Sequence, residues 1–135
     1  MLKLVFHLSD KPYAIDVLRV LEVLPLIPLQ SIPGVPEYVA GLLQHRGNVI
    51  PVIDLTQLIT GIASVKRLST RIIVIDASSA SRQKRALGLI CERVTDTTIE
   101  QAPASLDTHH DIQTSDIETI LPQSMYDFLF DLARS

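Results

Sequence analysis

Arg46-Gly47-Asn48-Val49-Ile50-Pro51-Val52-Ile53-Asp54-Leu55 is the stretch on which the fold turns. Gly and Asn tolerate positive φ, so Arg46-Gly47-Asn48 reads as a tight hairpin connection. Val49 to Ile53 leaves that turn as a strand rich in β-branched residues. Pro51 has no N–H to give to a ladder, which predicts an edge or a bulge at that point. Asp54 then caps a short helical turn over Leu55 to Ile59, and Gly61 stops it.

Upstream, Leu42-Leu43-Gln44 is the extended arm that enters the hairpin. Pro36 to Ala40 is expected to form one helical turn ended by Gly41, because a proline at the first helical position loses nothing. Pro25, Pro28, Pro33 and Pro36 forbid regular helix or central strand over 25–36 and predict an ordered, extended connection. Tyr13 to Leu24 fits neither period cleanly; Val17, Val20 and Val23 favour strands. Leu4, Phe6 and Leu8 alternate with polar Lys3 and His7, the pattern of a strand with one wet face, and Asp10-Lys11-Pro12 is read as the turn that follows.

Downstream, Ile72 to Ile75 reads as a buried strand and Leu87 to Val94 as its return, with Ala77 to Arg85 as a long polar tip. Thr97 to Ile99 is a further short strand, and Glu100 to Ser115 is loop. Pro122 opens a final helix, 122–134, whose docking stripe is Met125, Phe128, Leu129 and Leu132. Arg19-Val20-Leu21-Glu22 and Arg93-Val94-Thr95-Asp96 echo each other faintly, as two β-units in tandem would.

The chain has 135 residues, 47% hydrophobic and 20% charged. That balance predicts one folded domain and argues against wholesale disorder. With Phe6, Tyr13, Tyr38, Tyr126, Phe128 and Phe130 its only aromatics, the core must be aliphatic. A net charge of -3 provides no basic field for nucleic acid. Arg19 and Glu22 interrupt the most apolar segment before it reaches a membrane span, so no membrane insertion is expected. The start has neither the apolar run nor the cleavage site of a signal peptide, and the single Cys91 has no partner for an internal disulfide; both point to a cytoplasmic protein.

No catalytic set, metal or cofactor is expected. His109-His110-Asp111 are neighbours in a loop without the further ligands a metal needs. His7 is read as solvated. Cys91 lies in an apolar run and is expected to behave as a small buried hydrophobe, with Arg93 on its face in period two. Ser78, Ser79 and Ser81 have no nucleophile elbow or nearby histidine. The five glycines form no phosphate cradle. Charge, however, is segregated. Lys66, Arg67, Arg71, Arg82, Lys84 and Arg85 are six of the twelve cations, and nine of the fifteen acids lie from Glu92 onward. A solvated face is the plain reading; Arg82, Lys84 and Arg85 are the candidate charged docking loop for an acidic partner.

Tyr13 to Val17, Val20 to Val23, Pro33 to Gly41 and Arg46 to Leu55, taken in order, closely resemble the CheW-like family. The likeness continues through Arg71 to Asp76, Gly88 to Val94 and Asp116 to Leu121. Arg67-Leu68-Ser69-Thr70-Arg71 and the ending Leu121 to Phe130 look most like the adaptors of Wsp surface-sensing systems. The resemblance implies an all-β fold of two SH3-like barrels, with halves near 14–65 and 66–121 beside an N-terminal strand, and short helices including the C-terminal one. It implies a non-enzymatic scaffold joining the cytoplasmic tip of a methyl-accepting chemoreceptor to the regulatory domain of a CheA-type histidine kinase. By the same likeness Val20, Glu22, Val39, Gly41, Leu42 and Arg46 belong to the receptor-facing groove, where Glu22 and Arg46 can pair. The other reading is a self-associating interaction module that reuses the fold without kinase coupling; a hydrolase is a distant third.

Two departures carry expectations. Gln44-His45-Arg46-Gly47 stands where the family usually has Asn-Leu-Arg-Gly, so a titratable side chain replaces an apolar one. Between Pro103 and Asp116 the usual strand pair with its glycine turn is missing, which shortens the second barrel. Open strand edges invite pairing with another chain, so a homodimer or strand exchange through the region before residue 116 is expected.

Overall fold

A computed structural model describes residues 2–9, 11–77, 85–94, 97–99 and 123–134. Its elements run β1 (Leu2–Leu8), β2 (Lys11–Asp16), a 3-10 turn (Val17–Arg19), β3 (Val20–Pro25), β4 (Val39–His45), β5 (Asn48–Asp54), α1 (Leu55–Thr60), β6 (Thr70–Asp76), β7 (Ala86–Glu92), β8 (Thr97–Ile99) and α2 (Gln123–Arg134). The architecture is mostly β with two short helices. The strands form one sheet ordered β2-β1-β7-β5-β4, with β6 joining β7 to β3 and β8 pairing β1.

Three strands in the middle explain the apolar runs. Along β6, Ile73 and Ile75 enter one hydrophobic cluster while Ile72 and Val74 enter a second. Leu87, Leu89 and Cys91 of β7 face the first cluster and Ile90 the second; β5 divides as Ile53 against Ile50 and Val52. A strand buried on both faces has no polar face to alternate with. The layer β5-β7-β6 is thus a shared wall between two cores. Leu4, Phe6, Leu8, Ile15, Val39, Leu55, Leu129 and Phe130 complete the first, and Leu43 the second. Both clusters draw residues from either side of residue 65. Where the wall is tightest it needs Gly88, because a Cβ there would lie 2.8 Å from Val52 Cγ2.

Several local expectations are corrected. The β4–β5 connection is Arg46-Gly47, with φ of 52° and 80°, and His45 pairs Asn48. Asn48 already belongs to β5, so arginine takes the left-handed position that Asn or Gly usually fills. Pro51 is at neither an edge nor a bulge. Its partner Leu42 exchanges both backbone bonds with Gln30, so this pair is a non-bonded one in the β4–β5 ladder. On the other side, the parallel ladder to β7 starts only at Val52. Pro36 to Val39 make a turn, Pro36 C=O accepting from Val39 N–H at 3.0 Å, and Ala40 and Gly41 lie inside β4. Pro12 is a residue of edge strand β2, opposite His7, so the chain has reversed before it.

The other elements follow local chemistry. Asp54 Oδ1 accepts from Gln57 N–H at 3.2 Å as the N-cap of α1, and Gly61 closes the helix at φ 79°. The β6–β7 pair is antiparallel over its whole length, and Ala77 N–H donates to Arg85 C=O at 2.8 Å across the base of its tip. Helix α2 docks by part of the expected stripe, with Phe130 in place of Phe128. Leu129 and Phe130 are buried, Leu132 packs against them, and Phe128 is exposed. Arg85 meets this face, its guanidinium 4.9 Å from the Phe130 ring centre and 3.5 Å from Asp127. The expected loop 100–115 and the shortened barrel fall outside the described residues.

Candidate functional site

Strands β3 and β4 each cross from one core to the other, and each bulges where it crosses. On β3 the register shifts between Val20 and Glu22, leaving Leu21 as the extra residue. Val20 packs against the first cluster and Leu24 against the second, so Glu22 lies between them along the strand. On β4 the shift falls between Val39 and Gly41; Val39 is in the first core and Leu43 in the second. Bulges of this kind re-aim side chains at functional edges.

At this crossing Glu22 meets the tip of the β4–β5 hairpin. Its Oε1 accepts from His45 Nε2 at 3.0 Å and from Arg46 Nη2 at 3.1 Å. The carboxylate and imidazole are partly shielded while the Arg46 side chain is 75% exposed. One oxygen therefore fixes two donors, leaving most of the guanidinium fork turned to solvent. Leu18, Leu21 and Val23, all exposed, flank Glu22 in sequence. The result is a polar corner beside an apolar edge, the composition of a protein contact surface.

The remaining groove candidates have different surroundings. Val39 is a buried core residue, Val20 leans on the same core, and Leu42 is half-buried. Gly41, at φ 145°, would place a Cβ 2.5 Å from the Gln30 carbonyl oxygen. Its role is close approach of two backbones. Arg85 is held by Asp127 and Phe130 on α2. Arg82 and Lys84 lie outside the described residues, as do Ser78, Ser79, Ser81, His109, His110 and Asp111.

Sequence reasoning named Glu22 and Arg46 but gave His45 no partner. The only available signal was its position where an apolar residue is usual. Leu18 and Leu21 were missed altogether, since nothing in the sequence marks a bulge. Cys91 is fully buried, and burial, with Asp54 and Glu92 nearby, raises its thiol well above the ordinary value. Such a thiol stays protonated and is a poor nucleophile. Arg93 does not share its face: at φ 49° the strand's alternation ends there. His7 is half-buried, with Nδ1 3.4 Å from the Arg93 carbonyl. Among the described residues no three His, Cys, Asp or Glu side chains are grouped to hold a metal, and no helix is long and apolar enough to cross a membrane.

The described residues thus form a two-core β domain whose surface carries a bulged crossing and an ion-paired hairpin tip. The chain belongs to the CheW-like domain family, whose model matches residues 3–123. It is 30% identical over 126 residues to the chemotaxis protein CheW of Bacillus subtilis, covering 89% of this chain and 76% of that protein. It is 28% identical over 113 residues to the chemotaxis protein CheW of Helicobacter pylori, covering 79% of this chain and 66% of that one. Among solved structures, the scaffolding protein TtCheW from Thermoanaerobacter tengcongensis is similar, with a TM-score of 0.64 and 29% identity, covering 74% of this chain and 62% of the other. The chain thus spans roughly two thirds of the length of such relatives.

Proposed function

We propose that this chain is a non-enzymatic scaffold coupling a methyl-accepting chemoreceptor to a CheA-type histidine kinase in chemosensory signalling. The observation that carries the reading is the family match over nearly the whole chain, with relatives named as chemotaxis and scaffolding proteins. The receptor contact is assigned to the corner of Glu22, His45 and Arg46, with Leu42 beside it. Val20, Val39 and Gly41 act through the shape of the crossing. A receptor helix can lay apolar side chains along Leu21 and Val23 while the exposed Arg46 fork takes a carboxylate.

The test is a pull-down with the cognate kinase regulatory domain and a receptor-tip fragment. Wild type should retain both, while Glu22→Lys and Arg46→Glu should lose the receptor and keep the kinase. Retention of the receptor by both folded variants would remove the corner from the contact, and failure of wild type to retain the kinase would defeat the coupling role.

Three finer statements belong to the same proposal. The Wsp-type assignment rests on Arg67 to Arg71 and on Leu121 to Phe130. A cytoplasmic location goes with the partners named. A homodimer or strand exchange through the region before residue 116 is supported by strand edges such as that of β3, which among the described residues pairs only with β6. A monomer by light scattering at micromolar concentration would exclude it.

A further inference from the structure

The segment from the last turn of α1 to the start of β6 inverts the usual arrangement of polar and apolar groups. Ile59, Ile62, Val65 and Leu68 are exposed at 38%, 70%, 51% and 97%. They are half of the exposed large hydrophobic side chains among the described residues, gathered into ten positions.

This loop is tied down on its inner side. Buried Asp54 accepts from Ser64 N–H at 2.9 Å and from Ser64 Oγ at 2.5 Å. Buried Thr70 accepts from Arg67 N–H at 2.9 Å and donates to the Val65 carbonyl at 2.9 Å. Ile62 N–H donates to Thr60 Oγ1 at 3.1 Å, and Gln57 Nε2 to the Gly61 carbonyl at 2.9 Å. Arg71 donates to the carbonyls of Leu68 and Thr70. The backbone is therefore ordered before anything binds, and the ordering cost that weakens most loop contacts is already met. Covering even two of these aliphatic chains takes their apolar surface out of water, which favours binding.

We propose that residues 59–71 form a docking surface for an acidic polypeptide segment carrying aliphatic anchors, separate from the Glu22 corner. Charge selects the occupant. Lys66 and Arg67 are exposed among the apolar side chains, and neither is in an ion pair among the described residues. The guanidinium of Arg71 is engaged with the loop's own carbonyls. Two available cations suit a pair of carboxylates spaced along a peptide; an anionic bilayer is captured by clusters of about four to eight.

The experiment is an amide NMR titration of the full chain with a designed amphipathic Glu/Leu helix peptide. The same peptide with Lys for Glu and phosphatidylserine vesicles are run alongside. The Glu/Leu peptide should shift amides of 59–71 and leave those of 44–48 in place. Ile62→Ser with Leu68→Ser should weaken it on the order of tenfold or more. Lys66→Glu with Arg67→Glu should do the same, and high salt should reproduce that loss. All four side chains are at the surface, so the variants should melt with wild type, which circular dichroism checks. The proposal is overturned if the Glu/Leu peptide leaves the loop unshifted, if the Lys peptide binds as well, or if the vesicles bind more tightly. It is equally overturned if the chain alone self-associates and Leu68→Ser abolishes that, since the occupant is then a second copy.

Discussion

The Glu22 corner and the 59–71 loop solve opposite problems with the same few interactions. At the corner, regular strands supply the framework and the polar groups sit outermost: Glu22, His45 and Arg46 meet where β3 crosses between cores. Between the end of α1 and the start of β6 no regular element supplies order, and buried polar groups at the ends of β5 and β6, Asp54 and Thr70, hold aliphatic side chains out in water. A polar contact on a rigid framework contributes specificity and little stability, because water competes for it. A polar contact under a loop carries stability, because its loss leaves donors and acceptors without replacement.

The largest effect should come from Asp54→Ala. That change removes the α1 cap and both bonds to Ser64, a loss of about 2–4 kcal/mol from a cap plus hydrogen bonds to a charged acceptor. Urea unfolding measures it, and hydrogen exchange should rise over 59–71 while the β4–β5 tip is unaffected. A loss below about 1 kcal/mol would show that the loop orders itself without the buried carboxylate. Thr70→Val is next. It keeps the side chain's shape but orphans the Val65 carbonyl and the Arg67 N–H, for about 1–3 kcal/mol. If this variant matches wild type in urea, the loop is held by Asp54 alone.

These two regions also differ in how much of them could be read beforehand. Asp54 as a cap and Gly61 as a stop are local signals, complete within four residues, and both are realised. The strand runs were legible because burial on two faces leaves an uninterrupted apolar sequence at 72–75 and 87–91. Pro51 was misread because its tolerance depends on which side of β5 its missing N–H faces, a property of β4 and β7. The contact of Glu22 with a hairpin tip more than twenty residues away came into view only through a family likeness. His45, the departure from that likeness, had no visible partner. Lys66 and Arg67 registered as a charge run, yet the exposure of Ile62 and Leu68 was hidden. Apolar residues in a sequence are assigned inward by default, and what reverses it here is Ser64 binding a carboxylate ten residues earlier. The docking face of α2 was legible at Leu129 and Leu132 but not at Phe130, whose neighbour Arg85 comes from another element.

Smaller effects are expected at the corner. Glu22→Gln keeps an acceptor for His45 and Arg46 but removes the charge, so stability should change by about 0–1 kcal/mol. Receptor binding should nonetheless fall, because a neutral amide oxygen holds the Arg46 fork less firmly than the carboxylate does. A stability loss comparable to that of Asp54→Ala would erase the contrast between the regions.

The finest test concerns the backbone under Arg46. At φ 52° this residue bears the left-handed cost of about 1–2 kcal/mol that glycine escapes. Arg46→Ala and Arg46→Gly both remove the largely exposed pair with Glu22, so they differ only in that backbone term and in glycine's opposing entropy of about 0.5–1 kcal/mol. The Gly variant should therefore be the more stable by up to about 1 kcal/mol, near 4 °C in Tm for a chain of this size. Both should be equally defective toward the receptor. Equal melting temperatures would mean that the hairpin tip relaxes once the guanidinium is gone. In that case the pairing of Arg46 with Glu22 fixes the turn, and the corner would resemble the loop in being ordered by its polar contacts.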